Sequence, residues 1–208
     1  MTRYLSIHPE DPQARLIEQA AEIVMNGGII AFPTDSCYAL GCRLGDKEAA
    51  DRIRALRDLD PRHHFTLMCR DLSEIAHFAR VDNACYRLLK ATTPGSYVFI
   101  LEGTKELPRR ILHPKRKTIG LRIPDHRIAR ALLVELNEPL LTTTLLLPGF
   151  EAPLTEGWEI RESLDGRIEL ILDGGYCGTE ATTVVDLTGD LPEIVRLGRG
   201  NPAPFMTE

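Results

Sequence analysis

The sequence predicts one α/β domain built on a twisted, mixed and partly antiparallel sheet flanked by helices. Two observations carry that expectation. Segments with the apolar period of a helix alternate with short β-like runs through most of the chain, and three further strand candidates follow one another near the end. The 208 residues suit one large domain over 1–208 that buries roughly 70% of its unfolded surface, with no repeat or low-complexity linker dividing it.

Each element has its own signal. Between Arg15 and Asn26 the residues Leu16, Ile17, Ala20, Ala21, Ile23 and Val24 repeat at helical spacing, and Asn26-Gly27-Gly28 supplies a stop. Ile29 to Phe32 is then a strand that Pro33 ends. Asp46 is a plausible N-cap for a helix through Leu56, and Asp71 opens another over Leu72 to Ala79 after the short strand Thr66 to Cys69. Val81 to Lys90 is helical and closes before Thr92-Thr93-Pro94-Gly95. Strands follow at Tyr97 to Leu101 and Thr118 to Arg122, then a helix over Ile128 to Leu136 that stops at Asn137. Leu140 to Leu147, almost all Leu and Thr, suits a strand buried on both faces. Phe150 to Gly166, rich in Pro, Gly and Glu, is the most loop-like stretch, a mobile flap or a surface loop. Ile168 to Leu172, Thr183 to Leu187 and Glu193 to Leu197 complete the strands.

Composition narrows the function classes. Five cysteines without a CxxC fit reduced thiols of a cytoplasmic protein better than disulfides or a zinc site, and Cys37, Cys42, Cys69 and Cys85 sit in apolar context. No apolar run approaches the ~20 residues of a membrane span, and the N-terminus has no signal-peptide core, so no membrane partner is expected. A net charge of -5 argues against a generally basic nucleic-acid binder, yet Lys105 to Arg122 holds seven Lys or Arg against one acid, Glu106. P-loop, Rossmann and GxSxG signatures are absent, and no local sequence gives a cysteine an electropositive partner. The adjacent His63 and His64 cannot share one helix or strand face, so no metal site is expected.

The densest chemistry follows the first internal strand, where Thr34, Asp35, Ser36 and Tyr38 place four hydrogen-bonding side chains within five residues. A β-turn whose Asp and Ser bond their own backbone would account for it equally well. Other hydroxyls and arginines collect at strand and helix ends: Arg57, Thr118, Arg122, Thr142, Thr143, Thr144, Thr182, Thr183 and Arg196. Arginine forks and uncharged hydroxyls are what a carboxylate or phosphate site requires, although threonine also favours strands for its branching alone. In Thr118-Ile119-Gly120-Leu121-Arg122 alternation puts Thr118, Gly120 and Arg122 on one face, with Gly120 leaving room for a ligand, unless Arg122 is tied in a surface ion pair.

Taken together, residues 27–41 (Gly-Gly-Ile-Ile-Ala-Phe-Pro-Thr-Asp-Ser-Cys-Tyr-Ala-Leu-Gly), 93–101, 118–126, 182–186 and 194–198 resemble the YrdC/YciO family from about residue 13 to 200. Residues 65–73 and 142–149 are similar to its YciO branch in particular. The resemblance implies a concave, positively charged cavity and a synthase that joins ATP, L-threonine and bicarbonate into threonylcarbamoyl-AMP and pyrophosphate, for a tRNA modification. By position it assigns Thr34, Ser36, Arg122, Thr142 and Thr182 to threonine, and Arg57, Thr118, Thr144 and Arg196 to ATP, with Arg57 also catalytic and Mg2+ arriving with ATP. The same resemblance suggests an alternative: a non-catalytic protein that binds tRNA or other double-stranded RNA. Arg109, Arg110, Lys115, Arg116 and Lys117 would meet its phosphates, unless they form only a solvated loop.

Three positions depart from the synthase pattern. The family's Lys-x-Arg is Ala55-Leu56-Arg57 here, with Arg54 as a partial substitute; its Thr-Ser-x-Asn is Thr143-Thr144-Leu145-Leu146; and its Pro-Gly-x-x-Thr is Pro94-Gly95-Ser96-Tyr97-Val98. Each lost polar group would cost ~1–3 kcal/mol of ligand or transition-state binding.

Overall fold

In the computed structural model, which describes residues 1–60 and 63–206, the first helix α1 (Ala14–Met25) closes at the predicted stop. Gly27 takes φ +85°, its N–H donates to the Val24 carbonyl, and the N–H of Gly28 donates to the Ile23 carbonyl. That pair of bonds satisfies carbonyls the helix end leaves open. The chain then enters β2 (Ile30–Phe32), stops at Pro33 and returns as β3 (Ala39–Arg43). Asp46 and Asp71 do cap α2 (Lys47–Arg57) and α3 (Leu72–Phe78), accepting from the N–H groups of Ala49 and Glu74.

The remaining elements are β1 (Arg3–Ser6), β4 (Thr66–Met68), α4 (Asn83–Thr92), β5 (Tyr97–Glu102), β6 (Thr118–Arg122) and α5 (Arg127–Leu136). After them come β7 (Leu140–Thr144), α6 (Gly157–Leu164), β8 (Leu170–Asp173), β9 (Thr183–Asp186) and β10 (Glu193–Arg196). Ten strands form one sheet in the order β1-β8-β2-β3-β7-β4-β6-β5-β9-β10. Parallel pairs (β1·β8, β2·β8, β4·β6, β5·β9) and antiparallel pairs (β2·β3, β3·β7, β4·β7, β5·β6, β9·β10) share it, the mixed sheet expected.

Alternation along the strands separates two cores. Ile30, Phe32, Leu140, Leu170 and Leu172 face α1 and α5, packing on Ile17, Val24, Ile128 and Leu132. Ile29, Ala31, Leu40, Leu67, Phe99 and Leu121 point to the other side, against Ile53 of α2, Ile75 of α3, Leu89 of α4 and Ile160 of α6. Helices therefore cover one face broadly and the other only at the β8-β2-β3-β7 end.

Some boundaries moved and some elements were not foreseen. Helix α4 starts two residues later than Val81, because Asp82 is its cap and accepts from the N–H of Cys85. The stretch 150–166 is not one loop: Glu156 and Glu159 form a reciprocal capping box, and α6 buries Ile160 and Leu164 against the core. Strand β3 lacks β-branched residues and exists because β2 and β7 pair with it on either side. No helix among the described residues is long and apolar enough to cross a membrane.

Candidate functional site

Across β7, β4, β6, β5 and β9 the sheet face that α1 and α5 cover elsewhere becomes the floor of a cleft of about 410 Å³, within the range of small-molecule sites. The strand register builds that floor. Thr142 lies opposite Thr66, Thr66 opposite Gly120, and Gly120 opposite Ile100, so one row crosses four strands. One step along each strand on the same face stand Thr144, Met68, Arg122 and Val98, while Tyr97 and Phe99 of β5 point into the core behind. The Thr34–Ala39 turn, the end of α2 and the Thr182–Arg196 hairpin make the walls.

Eight of the predicted ligand-binding residues meet in this cleft: Thr34, Ser36, Arg57, Arg122, Thr142, Thr144, Thr182 and Arg196. Thr118 does not. It is buried at the far end of β6, two residues before Gly120 and paired with Glu102, with its carbonyl accepting from the N–H of His113. Nor does Gly120 simply leave open space, since a Cβ there would stand 2.8 Å from a Val98 methyl.

Arg122 is the centre of the polar network. Its guanidinium is buried and pairs with the buried carboxylate of Asp35, so the anticipated surface ion pair is in fact an interior one. A terminal nitrogen also lies 3.4 Å from Ser36 Oγ, and its Nε is buried without a partner among the described residues. Burial lowers its pKa from the ordinary arginine value, and the neighbouring Asp35 works in the opposite direction. Asp35 accepts in addition from Ser96 Oγ at 3.0 Å. The turn is locally bonded as well: Thr34 Oγ1 donates to the Cys37 carbonyl at 2.7 Å and accepts from the N–H of Ser36. Local turn chemistry and site chemistry thus coexist in the same residues.

The other two arginines are held by backbone. Arg57, at the end of α2, donates through Nε to the Leu146 carbonyl at 2.9 Å and through a terminal nitrogen to Thr143 Oγ1; burial lowers its pKa too. Arg196 donates to the Thr182 carbonyl at 2.9 Å and to Thr182 Oγ1 at 3.1 Å. Among the described lining residues there is no Asp or Glu, against three arginines and two histidines. Folding alone carries His63 and His64 to the rim. Burial, then Arg57, lowers the pKa of His63 from the ordinary histidine value, and burial, then His113, lowers that of His64, which favours the neutral imidazole in both. Thr66, Val98 and Ile100 were also unforeseen, although the alternation that exposes Gly120 and Arg122 would have found their faces.

The five cysteines are free and buried, as their apolar context predicts. Cys37 does acquire electropositive neighbours, Arg122, Arg196 and Arg199, yet burial outweighs them and pushes its pKa up to about 11. It is therefore a protonated, poorly nucleophilic thiol at neutral pH. One of the departures also looks different in three dimensions. Ala55 lies exposed on α2, outside the cleft, and Arg54 binds Asp51 at 2.7 Å on the far side of His63, whereas Leu146 does line the cleft. Val98, the third departing position, lines the cleft too, while Ser96 two residues before it serves Asp35.

Comparison with known proteins agrees with the fold. The model of the Sua5, YciO and YrdC family, described as Telomere recombination, matches residues 22–198. The uncharacterized protein YciO of Escherichia coli K12 is 54% identical over 99% of this chain and 100% of its own, and its crystal structure superposes with a TM-score of 0.94 over the same shares. The threonylcarbamoyl-AMP synthase of Bacillus subtilis is 28% identical over 90% of this chain and 54% of its own length. The crystal structure of Pyrococcus abyssi Sua5 complexed with L-threonine is 26% identical with a TM-score of 0.87, over 95% of this chain and 58% of that one.

Proposed function

The chain belongs to the Sua5/YciO/YrdC family, and from that premise we propose that its cleft binds L-threonine and ATP and forms threonylcarbamoyl-AMP from them and bicarbonate. The observation that carries this reading is the set of three arginines and eight serine or threonine hydroxyls, Thr34, Ser36, Thr66, Thr142, Thr143, Thr144, Thr179 and Thr182, with no carboxylate, among the described residues that line the cleft. Arg122 would clamp the amino-acid carboxylate, with Thr34, Ser36, Thr142 and Thr182 around the rest of the molecule. Arg57, Thr144 and Arg196 would hold the nucleotide phosphates. Threonine and bicarbonate condense to a carbamate with loss of water; a carbamate oxygen then attacks the α-phosphorus as the bond to the β-phosphate breaks and pyrophosphate leaves. Such a step needs positioning and charge neutralisation rather than a protein nucleophile. With no carboxylate among the described lining residues to hold a resident cation, Mg2+ would enter as part of the ATP substrate.

Pyrophosphate release from Mg-ATP, with L-threonine and bicarbonate each omitted in turn, tests the proposal. Release is expected to require both; release independent of threonine would overturn it. Leu146→Asn is expected to raise the rate about tenfold, since it returns one donor and one acceptor worth ~1–3 kcal/mol to the cleft beside Arg57. An unchanged rate would remove position 146 from the nucleotide site.

A second reading, binding of tRNA or other double-stranded RNA, is supported by the exposure of Arg109, Arg110, Lys115, Arg116 and Lys117. It is weakened by their internal partners: Arg116 pairs with Asp186, Arg110 donates to the Gly45 carbonyl and Lys117 to that of Pro114. No aromatic residue lies between Lys105 and Arg122, so any such binding would be phosphate-dominated. Duplex-RNA affinity is then expected to fall steeply between about 50 and 200 mM salt. A flat salt response would exclude this reading.

A further inference from the structure

Of the three arginines that line the cleft, Arg122 alone is paired with a carboxylate among the described residues. Arg57 is held by the Leu146 carbonyl and Thr143 Oγ1, and Arg196 by Thr182, without an Asp or Glu. The side chains of Arg122 and Asp35 are 7% and 9% exposed, and Asp35 is not among the residues that line the cleft. Ser96 gives Asp35 a second contact: its Oγ lies 3.0 Å from Asp35 Oδ2 and 3.1 Å from the Asp35 carbonyl oxygen. The turn that carries Asp35 is tied as well, with the Thr34 carbonyl accepting from Cys177 Sγ at 3.2 Å and Thr34 Oγ1 donating to the Cys37 carbonyl. Asp35 therefore has little freedom to leave Arg122, and its charge, removed from water, is poorly screened.

We propose that Asp35 determines the charge class of ligand that Arg122 accepts: by balancing the guanidinium it admits a zwitterionic amino acid with a free α-ammonium and turns away carboxylates that bring no cation of their own. A bare anion at Arg122 is attracted by the guanidinium and repelled by the Asp35 carboxylate, so the two contributions largely offset each other. A zwitterion adds an ammonium to the group, and the pair then attracts the ligand at both of its charges. Arg57 and Arg196, which lack such a counter-charge, set the contrast within one cleft. An amino acid at Arg122 rests on the proposed function, whereas the balanced clamp rests on the buried ion pair alone.

Calorimetric titration with L-threonine and with (R)-3-hydroxybutyrate, the same molecule without its ammonium, reads the effect as a ratio of affinities. The parent protein is expected to prefer threonine about tenfold or more. In Asp35→Asn, which keeps the shape and removes the charge, the ratio should fall below about threefold through tighter binding of 3-hydroxybutyrate. That gain should disappear in Arg122→Ala/Asp35→Ala, which assigns it to Arg122. Ser96→Ala, which loosens Asp35 but keeps its charge, should leave the ratio within about twofold of the parent's. Should circular dichroism show Asp35→Asn unfolded, Asp35→Ser makes the same comparison. A ratio unchanged by neutralising Asp35 would mean that the carboxylate only stabilises a buried arginine, and would overturn the proposal, as would equal affinities in the parent. Binding of 3-hydroxybutyrate by Asp35→Asn, with neither ligand bound by the parent, would discard the threonine reading and keep the role of Asp35. No binding by either protein would overturn both.

Discussion

Arg122→Ala is expected to weaken L-threonine binding more than about 100-fold, because two charge-assisted hydrogen bonds to a carboxylate, each worth ~1.5–3 kcal/mol, disappear together. The same change strands the largely buried carboxylate of Asp35, which among the described residues keeps only Ser96 as a side-chain partner, and leaving one member of a buried ion pair costs ~3–5 kcal/mol of stability. Loss of binding in that variant alone could thus reflect unfolding. The informative variant is Arg122→Ala/Asp35→Ala, which removes both charges and should recover most of the stability while still failing to bind. Circular dichroism reports the fold and calorimetry the affinity. Undiminished threonine binding by the folded double variant would take Arg122 out of the site. The pairing also sets a condition on the ligand. Asp35 already engages one terminal nitrogen of Arg122, so an incoming carboxylate must use the donors that Asp35 leaves, the long contact to Ser36 and the unpartnered Nε.

Phe205→Ala should lower stability by ~3–5 kcal/mol, the usual cost of deleting a buried aromatic ring. Phe205 is only 3% exposed and packs edge-on to Tyr97 at 5.5 Å and against Phe99 at 5.8 Å. Tyr97 Oη additionally donates to the Asn201 carbonyl, fastening the segment after β10 beneath β5. These are the residues of β5 that point away from the cleft, with Val98 and Ile100 on the opposite face forming its floor. Urea unfolding is expected to give a lower midpoint at an unchanged slope. A loss below about 1 kcal/mol would mean that the ring contributes little to holding β5 in place.

How far the sequence could be read depended on whether a signal was local. Helix stops and caps were legible at Asn26-Gly27-Gly28, Asp46 and Asp71 because their hydrogen bonds close within a few residues. For α4 the cap rule applied one residue away from where periodicity placed the start, at Asp82. Strands β1 and β3 were missed for the opposite reason. Arg3–Ser6 and Ala39–Arg43 carry weak strand propensity and are strands by virtue of their pairing, with β8 and β7 far along the chain and, for β3, with the preceding β2 as well.

The candidate site divides in the same way. By itself the sequence determined the type of chemistry, arginines and hydroxyls at strand ends, and the face that Gly120 and Arg122 share, because residue type and the two-residue period are properties of the chain. Only the tertiary structure decided which of these groups meet. It excluded Thr118 from the cleft, paired Arg122 with Asp35, surrounded Cys37 with arginines yet kept its thiol protonated, and brought His63 and His64 to the rim of the cleft. Each of those outcomes depends on strand register, burial or contact between distant segments, and such quantities come into being when the sheet assembles.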